Sequence, residues 1–490
     1  MANKYIAVTI GPIFDTVNLA SSPSALWAAS YLFSMLSKNI CQTLTDNGVA
    51  KDDIISPFFD PGDELLNKND GVGLFHDRII FSADHFSIED FNDKIKDEAI
   101  SKTLELFQFE PKDTDYFKKY FLVSAFAFES GSPILDSSKL LDCLELAKPF
   151  AEERGSNPLL TLYTSDDNAH RNQLLTTLVK NMGIDQWQLF DSNRTVMSLS
   201  KIARNRVPAK TAEAFKKYKY YAVIRSDGDY MGKIIKTLTG DAEIRAFSHC
   251  CLQYCSLVSK IVKIYGGVTI YSGGDDLLAL VPVENYYGKT VFQFIKTINH
   301  AFAFSFRKYR HIDTSLSFGV FVSYHKFPLY EALERSAELL FGTAKTYRDR
   351  IAIHVQKHAG QSEGLVIKND SLKSYIKLHK SITSGKAEEN DQIILSAMHK
   401  LTLFKMMFNS ASDKETIQNL FNNTFDADSH IGNDFLKKVL PEFFYDLKDH
   451  LEIYPITDKC VDDKNDDVVL AMNYILRVIK FFTESGGEEQ

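Results

Sequence analysis

Two periodicities of apolar residues succeed one another along the chain and divide it into elements. Residues 5–10 are a short apolar run closed by Gly11-Pro12, which predicts a strand. Over 24–36, Leu26, Trp27, Ser30, Tyr31, Phe33 and Leu36 recur at helical spacing, with Pro23 suited to the first turn and Ser22 or Ser24 to the cap. The stretch up to residue 83 is broken by Pro57, Pro61, Gly62, Gly71 and Gly73, and 78–82 is its clearest strand. Residues 88–128, 137–150 and 168–183 read as helices separated by loops at 131–133 and 155–158.

The pattern sharpens from residue 220. A strand over 220–224 runs into Arg225-Ser226-Asp227-Gly228-Asp229, followed by helices over 231–238 and 244–265 that Gly266-Gly267 stop. Residues 267–282, GVTIYSGGDDLLALVP, are two apolar runs around a small glycine turn, the signature of a β-hairpin. A helix over 290–308, an alternating strand over 314–323, a helix over 330–345 and a strand over 351–355 complete a β-α-α-β-β-α-β-α-β order, compatible with a decorated ferredoxin-like core. Beyond residue 364 strand signals are few and amphipathic helical stretches dominate. The expected class is α+β. Its parts are an N-terminal domain over 1–135, a helical linker over 136–215, a hairpin-bearing domain over 216–364 and a helical C-terminal domain over 365–490.

Composition narrows the function. The 490 residues are 44% hydrophobic and 24% charged, with 36 Phe and 22 Tyr to fill cores. A net charge of −8 argues against a free-standing, nonspecific nucleic-acid binder, although 191–219 is locally basic, which usually means a solvated face. The cysteines at 41, 143, 250, 251, 255 and 460 form no CxxC pair, so neither zinc nor a disulfide framework is expected, and a reducing cytoplasm fits best. No stretch reads as a signal peptide or a membrane span.

Candidate chemistry sits at the hairpin tip. Adjacent Asp275 and Asp276 repel each other, and nothing in hairpin geometry requires both. Gly273 and Gly274 let the backbone turn sharply and leave room for a bulky ligand. Paired acids on a tight turn suit Mg²⁺, which takes a few carboxylate oxygens plus substrate phosphates. Asp227 lies just past a strand end, so an antiparallel core would bring the three carboxylates together as two-metal phosphoryl transfer requires. Gly228 would let phosphate approach the backbone, and Asp229 reads either as a further ligand or as the cap of the next helix. Lys345 is a candidate phosphate clamp, though a lysine at a helix C-terminus also suits the dipole. Tyr271 and Ser272 abut the acids and are candidates to line a nucleotide pocket; strand packing is the plainer reading of Tyr271.

The blocks Asp227-Gly228-Asp229-Tyr230-Met231-Gly232 and Tyr271-Ser272-Gly273-Gly274-Asp275-Asp276-Leu277-Leu278-Ala279 resemble the palm polymerase domain of the large subunit of type III CRISPR effector complexes, the type III-B (Cmr) branch above all. Thr9-Ile10-Gly11-Pro12-Ile13, residues 26–32 and residues 192–203 resemble the same branch. The resemblance implies two ferredoxin-like palm domains and a cytoplasmic complex with other Cmr-type subunits, guide RNA and target RNA. It also implies that target RNA switches on a nucleotidyltransferase joining ATP into cyclic oligoadenylate, a second messenger of antiviral defence. On that basis Asp227, Asp275 and Asp276 carry Mg²⁺ or Mn²⁺ and catalysis, while Gly228, Ser272, Gly273, Gly274 and Lys345 hold the nucleotide. Two departures are expected: no HD nuclease domain, with His76-Asp77 read as structural, and no cysteine zinc site. Some nuclease-less members resemble enzymes that join ATP to S-adenosylmethionine, which leaves the acceptor open, and a non-catalytic scaffold is a further alternative. Asp276-Leu277, in place of the Glu-Phe of diguanylate cyclases, counts against a stand-alone cyclase of that type.

Overall fold

The structure is a computed structural model that describes residues 3–484 apart from 19, 68, 85, 108, 110–113, 147–167, 185, 384–386, 426–433 and 457–466. The expected loop at 155–158 and the end of the helix expected over 137–150 lie outside the described residues.

In the first domain, apolar β1 (Asn3–Gly11) is central to a four-stranded antiparallel sheet with β2 (Ile54–Ser56), β3 (Arg78–Ser82) and β4 (Leu122–Ser130), in the order β2-β3-β1-β4. The helix Pro23–Asp46 begins as its sequence dictates, with the Ser22 hydroxyl accepting from the Ala25 amide and Pro23 in the first turn. Trp27, Leu32 and Leu36 are buried on it. The helix expected over 88–128 is interrupted: its last part is β4, because the alternation from Val123 to Phe128 pairs with β1 along its length. Helix Pro133–Glu145 returns across β1 and so belongs with this domain rather than with a linker.

The second sheet holds seven strands: β5 (Tyr220–Asp229), β6 (Val268–Gly273), β7 (Asp276–Pro282), β8 (Ser315–Tyr324), β9 (Arg350–Gln356), β10 (Ser362–Lys368) and β11 (Ile453–Pro455). Their order is β11-β10-β9-β8-β5-β7-β6. The four strands β8-β5-β7-β6 have the same order as the first sheet, that of a ferredoxin-like unit, so the chain contains two such domains. β9 joins β8 in parallel. The sheet then runs on past residue 364 through β10 and β11, so the C-terminal helices are built onto the palm sheet rather than beginning where it ends. Leu365, Val366 and Ile367 make β10 a buried, apolar strand within the stretch expected to be helical.

Alternation on the strands sets the two cores. Ala222 and Ile224 of β5 face a core with helices Asp241–Tyr265 and Val291–Ser305, while Tyr221 and Val223 face a second core that is continuous with Trp27 and Leu36 of the first domain. Polar links cross the same boundary. The Arg245 guanidinium donates to the Ile54 and Phe59 carbonyls at 2.6 and 2.8 Å, and the Phe58 amide donates to the Ser248 hydroxyl at 2.7 Å.

Helix Leu329–Ala337 runs on through wider, π-type turns, Glu338–Ala344, into Lys345–Tyr347. It lies hard on β8: a Cβ at Gly319 would meet the Ser336 carbonyl oxygen at 2.3 Å and the Leu340 nitrogen at 2.5 Å, both backbone atoms. Gly319→Ala is expected to destabilise the chain by about 1–3 kcal/mol in denaturant unfolding and to lift the segment that carries Lys345.

Candidate active site

Asp227 reaches the site because β5 outruns its partner. The β5–β7 ladder ends at Ser226 opposite Leu277, leaving Asp227 beside the hairpin tip. The tip is a two-residue turn, Gly274-Asp275, between paired Gly273 and Asp276, with Gly274 at φ +69° in the position where a side chain is disfavoured. Gly228 is required by its neighbour. Its amide donates to Asp275 Oδ2 at 3.0 Å, and a Cβ there would sit 2.5 Å from that same oxygen. Gly228 thus seats the Asp275 carboxylate on the β5 backbone.

The three acids expected to converge do converge, and their charges act on Asp275 and Asp276. Burial, then the Asp227 charge, pushes the Asp275 carboxyl up to about 7. Asp276 opens to solvent yet is ringed by protein, and burial followed by the charges of Asp275 and Asp227 holds its carboxyl well above the usual range. The counter-charge among them is Lys345. Its ammonium lies 2.9 Å from Asp227 Oδ2 and 3.0 Å from Asp229 Oδ1, and donates to the Gly228 carbonyl at 2.7 Å.

Asp229 is neither a cap nor an open ligand. It is the buried last residue of β5, accepting from the hydroxyls of Ser315 and Ser317, each at 2.8 Å, from the Asp349 amide at 2.9 Å, and from Lys345. Its carboxylate is saturated, so its part is to hold Lys345 in place. Tyr230, in the left-handed region at φ +61°, starts the short helix Met231–Ile235 instead.

Ser272 and Gly273 lie under the turn rather than on an open nucleotide surface. Ser272 is fully buried; its amide donates to the Gly73 carbonyl of the first domain at 3.2 Å and its hydroxyl to the Cys255 carbonyl at 3.4 Å. Gly273 is bare where the Tyr271 ring folds back over it. Cys255, buried beneath the turn, donates its thiol to the Gly274 carbonyl at 3.3 Å.

In front of Asp276 a cavity of about 560 Å³ opens between the two palm domains. Tyr271, Arg225 and Asp276 line one side; Thr9, Asp15 and Asp77 are on the other. Four of these, Arg225, Thr9, Asp15 and Asp77, were not among the expected site residues. Arg225 shares a β5 face with Asp227, two positions away, and that parity was available in the sequence. Its guanidinium donates to Ser336 at 3.1 Å and feels the Asp276 charge. His76 is structural, as expected: its Nδ1 accepts from the Arg78 amide at 3.4 Å, which leaves Nε2 to donate to Ser56 at 3.3 Å. Asp77, however, lines the cavity, its carboxyl pushed up to about 6 by burial and then by Glu145.

The acids fit a magnesium or manganese ion by donor chemistry. They are hard oxygens whose mutual repulsion one lysine does not cancel, at a position open to substrate. Among the described residues no three acid, His or Cys side chains close into a ready cage. That suits an ion taking one or two carboxylates plus substrate phosphates rather than a resident structural metal.

Residues 5–108 match the family profile described as CRISPR-associated protein Cmr2, N-terminal, and residues 220–353 match that of the Cas10/Cmr2 second palm domain. A curated relative, CRISPR system Cmr subunit Cmr2 of Pyrococcus furiosus, is 29% identical over 170 residues, which is 29% of this chain and 19% of that protein. The aligned part is therefore under a fifth of that relative's length. Among solved structures, a type III-B Cmr-beta complex bound to cognate target RNA matches with a TM-score of 0.61 at 10% identity, covering 99% of this chain and 83% of that one. A Csm1–Csm4 cassette in complex with cA4 matches with a TM-score of 0.58 at 14% identity, covering 99% and 70%. At these identities the two structures establish the fold. Among the described residues no helix is long and apolar enough to cross a membrane.

Relief of carboxylate repulsion is directly measurable. Without divalent cation, Asp275→Asn/Asp276→Asn is expected to melt above the wild type at pH 8, because both acids are costly to ionise where they stand. The sign follows from the raised pKa values: between the ordinary carboxylate range and about pH 7 the fold binds more protons than the unfolded chain, so the wild type loses stability as pH rises and the double variant loses less. Mg²⁺ or Mn²⁺ should raise the wild-type melting temperature and leave the double variant unmoved. Gly228→Ala should weaken that metal-induced shift by displacing Asp275, which titration of Mn²⁺ would report.

Proposed function

Starting from a chain that carries the Cmr2 N-terminal domain followed by the Cas10/Cmr2 second palm domain, we propose that it serves as the large subunit of an RNA-guided type III CRISPR complex. In that complex target RNA, paired to the guide, would switch on transfer of AMP from ATP. The observation that carries the reading is the position of Asp276, which belongs at once to the acid cluster and to the wall of the cavity between the palms. A triphosphate held by Lys345 and by a cation bound at Asp227, Asp275 and Asp276 would then present its α-phosphorus to an acceptor in that cavity. Such a volume is within the range of small-molecule sites.

This chain's residues supply binding and orientation. Lys345 stands where it can pass from Asp227 to a phosphate oxygen, and Asp229 with its two serine partners fixes the origin of that movement. Arg225 adds positive charge beside Asp276. A magnesium ion taking one or two of the Asp227, Asp275 and Asp276 carboxylates together with phosphate oxygens would lower the pKa of an attacking hydroxyl and neutralise charge on the departing pyrophosphate. With a second ATP as acceptor the first product would be a linear oligoadenylate plus pyrophosphate. Attack of its own terminal hydroxyl on its α-phosphorus, releasing a further pyrophosphate, would close it into cyclic oligoadenylate.

A second reading, in which S-adenosylmethionine accepts the AMP, is favoured by the acceptor wall. Asp15, Asp77 and Glu145 line it, and among the described residues only Glu145 has an ion-pair partner, Arg78 at 2.7 Å. Carboxylates there suit a cationic sulfonium and ammonium and oppose a second triphosphate.

Purified complex incubated with target RNA, Mg²⁺ and labelled ATP, with and without S-adenosylmethionine, separates the two products. Asp275→Ala/Asp276→Ala is expected to lower product formation roughly 100-fold or more while leaving assembly intact. Activity and assembly both unchanged in that variant would make the chain a scaffold. Asp77→Asn should selectively weaken turnover with S-adenosylmethionine, seen as a raised KM for that substrate, and spare oligoadenylate formation.

A further inference from the structure

A second groove, of about 570 Å³, lies at the opposite end of β6 from the acids. Three segments distant in sequence build it: the basic stretch around the helix Leu199–Arg204, the last turn of the helix Asp241–Tyr265, and the loop after β7. Four basic side chains line it, Lys201, Arg204, Arg206 and Lys263, against one acid, Asp191, already spent on Lys201 at 2.8 Å. In a chain of net charge −8 this is a local reversal of sign. Among the cations stand two exposed aromatic rings, Tyr286 at 56% and Tyr287 at 76% exposure, set edge to face. Two bulky, solvated rings on a soluble surface call for a partner. The backbone is also held in an uncommon form here, with Asn205 and Arg206 both in the left-handed region.

We propose that this groove binds single-stranded RNA, its phosphates on the arginines and lysines and a base stacked on Tyr286 or Tyr287. Cations that track a backbone, interleaved with aromatic platforms, are the chemistry of single-strand recognition. A protein partner would leave the unbalanced positive charge to be matched by an acidic surface and has no particular use for paired rings. The choice of RNA over DNA rests on the reading of the chain as part of an RNA-guided complex. The groove is wired to the hairpin through Gln188, one of its lining residues. The Gln188 side-chain Oε1 accepts from the Thr269 amide of β6 at 2.8 Å, and its Nε2 donates to the Ser259 carbonyl at 3.4 Å. From there β6 runs about 15 Å to the GGDD turn.

The test uses the purified full chain and a fluorescein-labelled 12-nucleotide single-stranded RNA, followed by fluorescence anisotropy. Tyr286→Ala/Tyr287→Ala is expected to weaken binding at least 10-fold. Arg206→Glu/Lys263→Glu should weaken it further and lower the slope of log affinity against log salt by about 1.4, the share of two phosphate contacts. All four positions are exposed, and an unchanged melting temperature would show that the variants fold. The proposal is overturned if the wild type does not bind this RNA, if the variants bind it as well as the wild type does, or if DNA of the same sequence binds as tightly. Variants that keep RNA affinity but fail to assemble with partner subunits would make the groove a protein interface, which also overturns it. Labelled-ATP turnover of the assembled complex is read in parallel. Inactive wild type with groove-dependent RNA binding defeats the reading of the acids alone; active wild type with groove-independent binding defeats this one alone.

Discussion

The hairpin site rests on an electrostatic imbalance that the fold sustains. Asp227, Asp229, Asp275 and Asp276 are gathered around one ammonium, that of Lys345, in a place where burial already disfavours charge. Left alone, such a cluster would spread apart. It is held by the Gly228 amide on Asp275, by the Ser315 and Ser317 hydroxyls and the Asp349 amide on Asp229, and by the two-residue turn that puts Asp275 and Asp276 side by side. The fold thereby spends stability to keep negative charge concentrated at one point, as a site awaiting a cation and phosphates must.

Much of this was legible from residue order. The β-α-α-β-β-α-β-α-β succession after residue 220, the hairpin at 267–282 and the convergence of Asp227 on it follow from periodicity and turn chemistry, and the folded chain has all three. What escaped depends on partners remote in sequence. Asp229 reads as a metal ligand or a helix cap from its neighbours alone; only the arrival of Ser315, Ser317 and Asp349, more than eighty residues away, turns it into the anchor of Lys345. Asp77 looked inert beside His76 because nothing local shows that a cavity wall will form there from the other palm. The strand at β4 was hidden in a charged, aromatic stretch whose helical and alternating readings compete, and pairing with β1 decided between them.

The same limit applies to glycines. Gly274 announces a turn, but Gly228, Gly273 and Gly319 are bare for reasons of contact: a carboxylate, a tyrosine ring and a helix backbone each occupy the space a Cβ would take. Two of these three lie at the site and the third sets the height of the helix that delivers Lys345. Close packing of backbone on backbone thus governs the position of charge.

The hydrogen bond from the Ser272 amide to the Gly73 carbonyl joins the hairpin to the first domain through main-chain atoms at both ends. Every residue but proline can donate there and every residue can accept. The bond itself asks nothing of either side chain, but the space around it does: a Cβ at Gly73 would meet the Ser34 side chain at 2.9 Å, and Ser272 is fully buried. A substitution at either position would press on packed neighbours, so the seam constrains sequence at these two points even where the fold persists at 10–14% identity to its structural neighbours.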